Sequence, residues 1–246
     1  DIPFIWVQLP NQSTEGTETN PSSNETWPIA RYNQSMALSL PNTAEVVTID
    51  IGEVDIHPKD KETLGARFCL AARKLIYSES VVATGPEYLS HSVLPNGSVK
   101  IQFSNIGTGL KAKGSSDTIK WFSCAGSDGV LKKATAVKSG DSVIVSHPTI
   151  TDIRLIRYAW EYNPVGVNLY NNENLPAKPF KIYVKSEGFS IKKFVYSNTT
   201  IERGQTTVLN WEVTGASKIL LNGEEVDSIQ AIKLSPHDTI TYKLEA

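Results

Sequence analysis

The run Pro3-Phe4-Ile5-Trp6-Val7-Gln8-Leu9 is nearly unbroken in its apolar character. An alternating strand can leave one face in water, but this one puts large apolar side chains on both. It therefore reads as a strand buried on both faces of a parallel sheet, which demands neighbours and covering helices. A polar stretch over 10–25 follows as a surface loop beyond its carboxyl end. Trp27-Pro28 then starts a helix with candidate core positions Ala30, Met36, Ala37 and Leu40, closed by Pro41-Asn42. A second apolar strand is predicted over 45–51, so strand, helix and strand make one right-handed crossover unit. An amphipathic segment comes next, with Leu64, Phe68, Ala71 and Leu75 on one helical face and Pro58 suited to the first helical position. Asp60 and Glu62 near its start and Arg73 and Lys74 near its end suit the helix dipole. Residues 1–78 thus read as the last two strand–helix units of a doubly wound domain. Two parallel strands cannot supply a core of their own. The chain opens in a buried strand as if something came before it, and its first residues lack the pattern of a signal peptide.

The connection after the second strand carries Asp55-Ile56-His57-Pro58. Ligands of open α/β sheets bind just beyond the carboxyl ends of the strands. A histidine there, two residues from a carboxylate, can serve as a general base with an orienting partner. The same tetrapeptide is also ordinary turn chemistry, and the surroundings decide between the two. Gln8, near the end of the first strand, is read as bonding to a loop.

Composition bounds the function. The 246 residues are 40% hydrophobic and 20% charged, a globular balance with room for two or three domains. A net charge of −2 gives no electrostatic case for nucleic acid or an anionic membrane. No run of about 18 apolar residues is present to span a bilayer. The two cysteines, Cys69 and Cys124, fall in different predicted units and read as free buried thiols. No metal-ligand spacing is present, and no cofactor is implied. Asn-x-Ser/Thr sequons begin at Asn11, Asn24, Asn33, Asn96 and Asn198, a weak pointer to a secreted or periplasmic setting.

From about residue 80 the pattern changes to short strands: 98–103, 118–122, 142–145 and 153–158, with others around Tyr88 and Val130-Leu131. This spacing predicts an antiparallel β-sandwich. Gly126-Ser127-Asp128 reads as a hairpin turn and not as a nucleophile. Residues 159–180 read as a long connection packed by Trp160, Tyr170 and Phe180. Residues 187–246 read as a small immunoglobulin-like module. Leu209, Trp211 and Val213 alternate there, as do Ile240, Tyr242 and Leu244, and Asn222-Gly223 signals a hairpin.

Several separated blocks resemble the sialate O-acetylesterase family of SGNH-type hydrolases. They are Ala37-Leu38-Ser39-Leu40-Pro41-Asn42-Thr43, Val47-Thr48-Ile49-Asp50-Ile51-Gly52 and Asp55-Ile56-His57-Pro58-Lys59-Asp60-Lys61. Further on come Arg157-Tyr158-Ala159-Trp160, Asn163-Pro164, Asn168-Leu169-Tyr170-Asn171, Leu175-Pro176-Ala177 and Pro179-Phe180. The resemblance runs over residues 1–183. It implies that His57 is the catalytic base and Asp55 its carboxylate. The wider pattern places an aspartate three residues before the histidine, where this chain has Val54, so Glu53 is an outside candidate. It also implies that the nucleophilic serine and the oxyanion donors sit in blocks not found here. The expected fold class is α/β plus all-β. It comprises the carboxyl-terminal part of a doubly wound SGNH-like domain (1–80), an antiparallel β-sandwich with a return loop (81–186) and a small Ig-like β-sandwich (187–246). The expected function is the His-bearing portion of a carbohydrate O-acetylesterase, inactive alone. Its substrate would be an O-acetylated sugar and its partner the amino-terminal, serine-bearing half of the hydrolase. The alternative is a non-catalytic carbohydrate-binding or adhesive β protein.

Overall fold

Two strands and two helices open the chain in the order anticipated. The computed structural model describes residues 2–12, 18, 21–184, 190–214 and 219–245. Strands β1 (Phe4–Val7) and β2 (Thr43–Val46) pair in parallel, Phe4 opposite Thr43 and Val7 opposite Val46. Helix α1 (Thr26–Met36) joins them, and α2 (Lys61–Leu75) follows. The expectation that β1 is buried on both faces does not hold within this chain. Phe4 is 64% exposed and Ile5, Trp6 and Val7 are half-buried. The reason is topological: among the described residues β2 is its only strand neighbour.

α1 turns a different face inward from the one its apolar residues suggest. Pro28 and Arg31 are its buried residues, whereas Met36 and Leu40, both expected in the core, are exposed. A buried carboxylate explains the packing of its other inward residues. Glu45 of β2 accepts from Ser35 Oγ at 2.8 Å and from Trp6 Nε1 at 3.2 Å, and pairs with Lys178 Nζ at 2.9 Å. Gln8 belongs to this cluster. Its Nε2 donates to Glu45 Oε2 at 3.3 Å and to Ser35 Oγ at 3.2 Å, so it bonds α1 and β2 and not a loop.

β2 is also shorter than the predicted 45–51. Beyond Val46 the strand pairing gives way to bonds made by side chains and a local turn: Arg67 donates to the Val47 carbonyl at 2.8 Å, Thr48 Oγ1 to the Gln8 carbonyl at 2.7 Å, and the Ile51 amide to the Thr48 carbonyl at 3.3 Å. Pro58 is not the first helical residue. Asp60 accepts from the Thr63 amide at 2.9 Å as the N-cap, so α2 starts at Lys61, three residues later. Glu62 lies in the first turn and Arg73 and Lys74 in the last, as the dipole favours. Ala71 is buried and Leu64, Phe68 and Leu75 half-buried, while Cys69 faces the other way and is exposed, contrary to expectation.

The remainder of this part of the chain is antiparallel β. Its strands are β3 (Glu87–Val93), β4 (Val99–Ser104), β5 (Leu110–Ala112), β6 (Phe122–Ala125), β7 (Lys132–Lys133), β8 (Thr135–Ser139), β9 (Ser142–Ser146), β10 (Leu155–Tyr158), β11 (Leu169–Asn171) and β12 (Phe180–Tyr183). One sheet runs β3-β4-β9-β8, another β12-β10-β6-β7, and β11 pairs with β5. Alternation along β4 buries Val99, Ile101 and Phe103 against one core, which they share with Val143 and Val145 of β9 and with Phe122, Cys124, Ile156, Tyr158 and Phe180. Burial of each such side chain contributes roughly 1.5–3 kcal/mol. Burial also pushes the free Cys124 thiol up to about 11. Gly126-Ser127-Asp128 forms the turn between β6 and β7, where Asp128 accepts from the Val130 amide at 3.0 Å.

Residues Asp1–Val184 form one compact unit and Lys185–Ala246 another. In the second, β13 (Ser190–Tyr196), β14 (Thr207–Thr214) and β17 (Ile229–Leu234) form a sheet in the order β13-β14-β17. The short strands β15 (Leu220–Leu221), β16 (Glu224–Glu225) and β18 (Leu244–Glu245) form another, β16-β15-β18. Leu209, Trp211, Val213, Ile219 and Leu221 are buried between them. Asn222 and Gly223 both have positive φ, 51° and 88°, as a tight two-residue hairpin requires. Ile240 departs from the expected alternation: it is exposed, and only Tyr242 and Leu244 reach the core.

Candidate functional site

The segment that leaves β2 is fixed at its base and open at its tip. At the base, Asp50 receives both Arg67 nitrogens at 2.7 Å, and each side chain is only 8% exposed. Tyr170 Oη donates to the same carboxylate at 2.9 Å. Lys113 Nζ lies 3.6 Å from the centre of the Tyr170 ring, a cation–π contact. The expected packing role of Tyr170 is therefore joined by a polar one.

Two residues on, the Gly52 amide donates to Asn11 Oδ1 at 2.7 Å. Asn11 Nδ2 in turn donates to Asn163 Oδ1 at 2.8 Å. Gln12 Nε2 reaches the Val54 carbonyl at 3.0 Å, and the Gln12 amide reaches the Tyr162 carbonyl at 3.2 Å. Arg31 holds both flanks together from beneath, donating to the carbonyls of Leu9, Pro10, Glu161 and Tyr162 at 2.6–3.0 Å. Asn11, flagged in the sequence only as a sequon, is 4% exposed and committed to packing. Arg31 gave no signal beyond its polarity, and Asn163 appeared only within the Asn163-Pro164 block of the resemblance, with no role attached.

At the tip the structure brings His57 and Asp55 together. His57 Nδ1 lies 2.9 Å from Asp55 Oδ1, which also accepts the His57 amide at 2.7 Å. The amide and the ring together hold the Asp55 carboxyl below its usual range. Glu53 does not share in this contact. It accepts the Lys59 amide at 3.0 Å and pairs with Lys59 Nζ at 3.2 Å, which lowers its pKa as well. A carboxylate on Nδ1 selects the tautomer whose Nε2 carries the lone pair, the arrangement a general base needs. Both side chains are exposed, at 82% and 67%, and among the described residues no hydroxyl bonds to the imidazole. A cavity of about 420 Å³ lies beside β2, lined by Leu38, Ala44, Ala71, Leu75 and Lys178 among others, but His57 and Asp55 are not in its wall. Among the described residues no group of three or more His, Cys, Asp or Glu side chains is placed to hold a metal, and no helix is long and apolar enough to cross a membrane.

No family model matches the chain. Human sialate O-acetylesterase is 27% identical over 213 residues, covering 76% of this chain and 38% of the relative. The Pongo abelii sialate O-acetylesterase is 27% identical over 212 residues with the same coverage. The chain therefore spans about two fifths of the length of these relatives. The crystal structure of a carbohydrate acetylesterase from Xanthomonas citri matches with 37% identity and a TM-score of 0.64, over 73% of this chain and 41% of that one. In sequence and in fold, then, most of this chain is similar to part of a carbohydrate esterase.

Proposed function

We propose that this chain is the histidine-bearing portion of a carbohydrate O-acetylesterase of the SGNH type, with the nucleophilic serine supplied from outside residues 1–246. The observation that carries the reading is the Asp55–His57 contact, set on a connection that leaves the carboxyl end of a parallel strand. His57 Nε2 takes the serine proton while Asp55 steadies the imidazolium that forms. The serine oxygen attacks the acetyl carbonyl carbon, and the tetrahedral adduct collapses to an acyl-enzyme. The leaving sugar oxygen takes the proton back from Nε2. Water then gives a proton to Nε2 and attacks the acyl carbon, and acetate leaves as the serine oxygen is reprotonated. Oxyanion donors come with the serine-bearing portion.

The open surface of the first unit supports a large partner segment. Among the described residues β1 has a strand on one edge only, and Ile29, Tyr32, Met36 and Leu40 make an exposed apolar stripe along α1 and just beyond it. On this reading residues 185–246 are an Ig-like accessory module, and the protein works outside the cytoplasm, where the exposed Asn24, Asn33, Asn96 and Asn198 would be open to glycans.

The test uses the complete protein, with the serine-bearing portion joined or co-expressed, and a small acetyl ester such as p-nitrophenyl acetate. His57→Ala is expected to lower kcat by about a thousandfold or more, and Asp55→Asn by about a hundredfold or more. Chain 1–246 alone is expected to match buffer. Activity of His57→Ala within a few fold of wild type would remove His57 from the mechanism, whereas a complete wild-type protein no more active than buffer would favour the non-catalytic carbohydrate-binding alternative. A Glu53→Gln variant more damaged than Asp55→Asn would move the carboxylate role to Glu53.

A further inference from the structure

The tip that carries His57 and Asp55 is exposed, so its position depends on what holds the segment leading to it. Asp50 is fixed by Arg67 and Tyr170, but Asp50 lies seven residues before His57. Between them, apart from bonds to the neighbouring Thr48 and Lys59, the described hydrogen bonds from elsewhere in the chain come from Asn11 and Gln12. Asn11 uses both ends of its amide, accepting from Gly52 and donating to Asn163, and it is buried. Its carbonyl also lies where a side chain on residue 52 would begin, so that a Cβ added to Gly52 would overlap it. The backbone on either side of Asn11 is itself pinned by Arg31 and by the Tyr162 carbonyl.

We propose that Asn11 is a positioning residue for the His57 segment: its side-chain oxygen sets the path of the chain at Gly52, and Asn163 sets the orientation of the Asn11 amide. The proposal rests on the reading of His57 as the base, because only then does the path of this segment govern chemistry. Asn11 does not touch substrate. It acts by keeping His57 Nε2 where the serine hydroxyl arrives, and small displacements of a catalytic group are costly in rate.

Two measurements separate this proposal from the function it serves. In the isotope-labelled 1–246 chain, hydrogen exchange at the Gly52 amide needs no catalysis to read. Asn11→Ala should speed it about tenfold or more, while amides in the β4 and β9 strands keep their protection. In the complete protein with p-nitrophenyl acetate, Asn11→Ala should lower kcat by about 10- to 100-fold with KM within about twofold. Asn11→Asp keeps an acceptor for the Gly52 amide and should retain more kcat than Asn11→Ala. A merely structural role predicts the reverse order, since a buried carboxylate is worse tolerated than a small apolar side chain. Should Asn11→Ala fail to fold, Gly52→Ala, which displaces the same contact while leaving Asn11 and Asn163 in place, should reproduce the kcat loss. The proposal is overturned if Gly52 exchange is unchanged, or if the aspartate variant is as poor as the alanine one. If His57→Ala stays active while Gly52 exchange responds to Asn11→Ala, the base assignment is what has failed.

Discussion

Among the described residues no carboxylate pairs with the buried Arg31 guanidinium, which finds its partners at four backbone carbonyls. Desolvation nevertheless draws its pKa down to about 9. An ammonium is a point charge with three donors and cannot match that fork. Arg31→Lys is therefore expected to cost about 3 kcal/mol, read from the urea midpoint at neutral pH, and a loss below about 1 kcal/mol would contradict the role given to it. Tyr170 provides a test in pH. Burial, and then the Asp50 charge, raise its hydroxyl above the ordinary 10.0. The folded state then holds a proton that the unfolded state releases near pH 10. The contribution is complete below pH 10 and is lost as pH rises toward the folded value. Tyr170→Phe should cost about 1.5–3 kcal/mol at pH 7, as for a hydrogen bond to a charged acceptor, and should make the decline in stability above pH 10 shallower. Equal slopes for the two proteins would show that Tyr170 does not titrate in that way.

At the scale of elements, α1 is the most exposed to test. Its inward face is polar and bonded, and its apolar stripe of Ile29, Tyr32, Met36 and, just past its end, Leu40 faces out. Met36→Lys combined with Leu40→Lys is expected to reduce self-association of chain 1–246 in sedimentation experiments while shifting its unfolding free energy by less than about 0.5 kcal/mol. The same pair should weaken capture of the serine-bearing portion; undiminished capture would place that portion elsewhere. α1 also marks the boundary of what the sequence could reveal. Its existence followed from Trp27-Pro28 and Pro41-Asn42, but its buried face did not, because periodicity counts Arg31 as polar and cannot see the carbonyls that receive it. The start of α2 was misplaced because Pro58 and Asp60 are both good start signals, and only the Asp60–Thr63 bond decides between them. Turns written in local chemistry, Asn222-Gly223 and Gly126-Ser127-Asp128, were legible. β5 and β11 were not, because each is three residues long and exists through a partner distant in sequence. At the site, Asp55 and His57 were legible as neighbours in the chain, whereas Asn11 and Asn163 meet across 152 positions.

On the scale of the whole molecule, the two compact units bear unequal parts of the proposed chemistry. Among the described residues, the hydrogen bonds that shape the Asp55–His57 segment join residues of Asp1–Val184. A complete protein truncated after Val184 should thus keep kcat on a small acetyl ester within about twofold, and a large loss from a truncated protein that still unfolds cooperatively would tie the second unit to the reaction. Within the first unit, the fastening of the His57 segment runs between distant parts of the chain: Asn11 to Asn163, and Asp50 to Tyr170 across 120 positions. Contacts of that separation form late in folding, since the loop they close must first be ordered. A ribosome that has just released His57 has therefore delivered the residue without the whole of the grip that places it. Beyond the bonds from Asn11 and Arg67, the grip is completed only when the stretch from Tyr162 to Tyr170 has emerged, some hundred residues later. Any nascent or prematurely ended chain short of that point would hold the histidine on a half-anchored tether, and so would have the reagent but not the geometry.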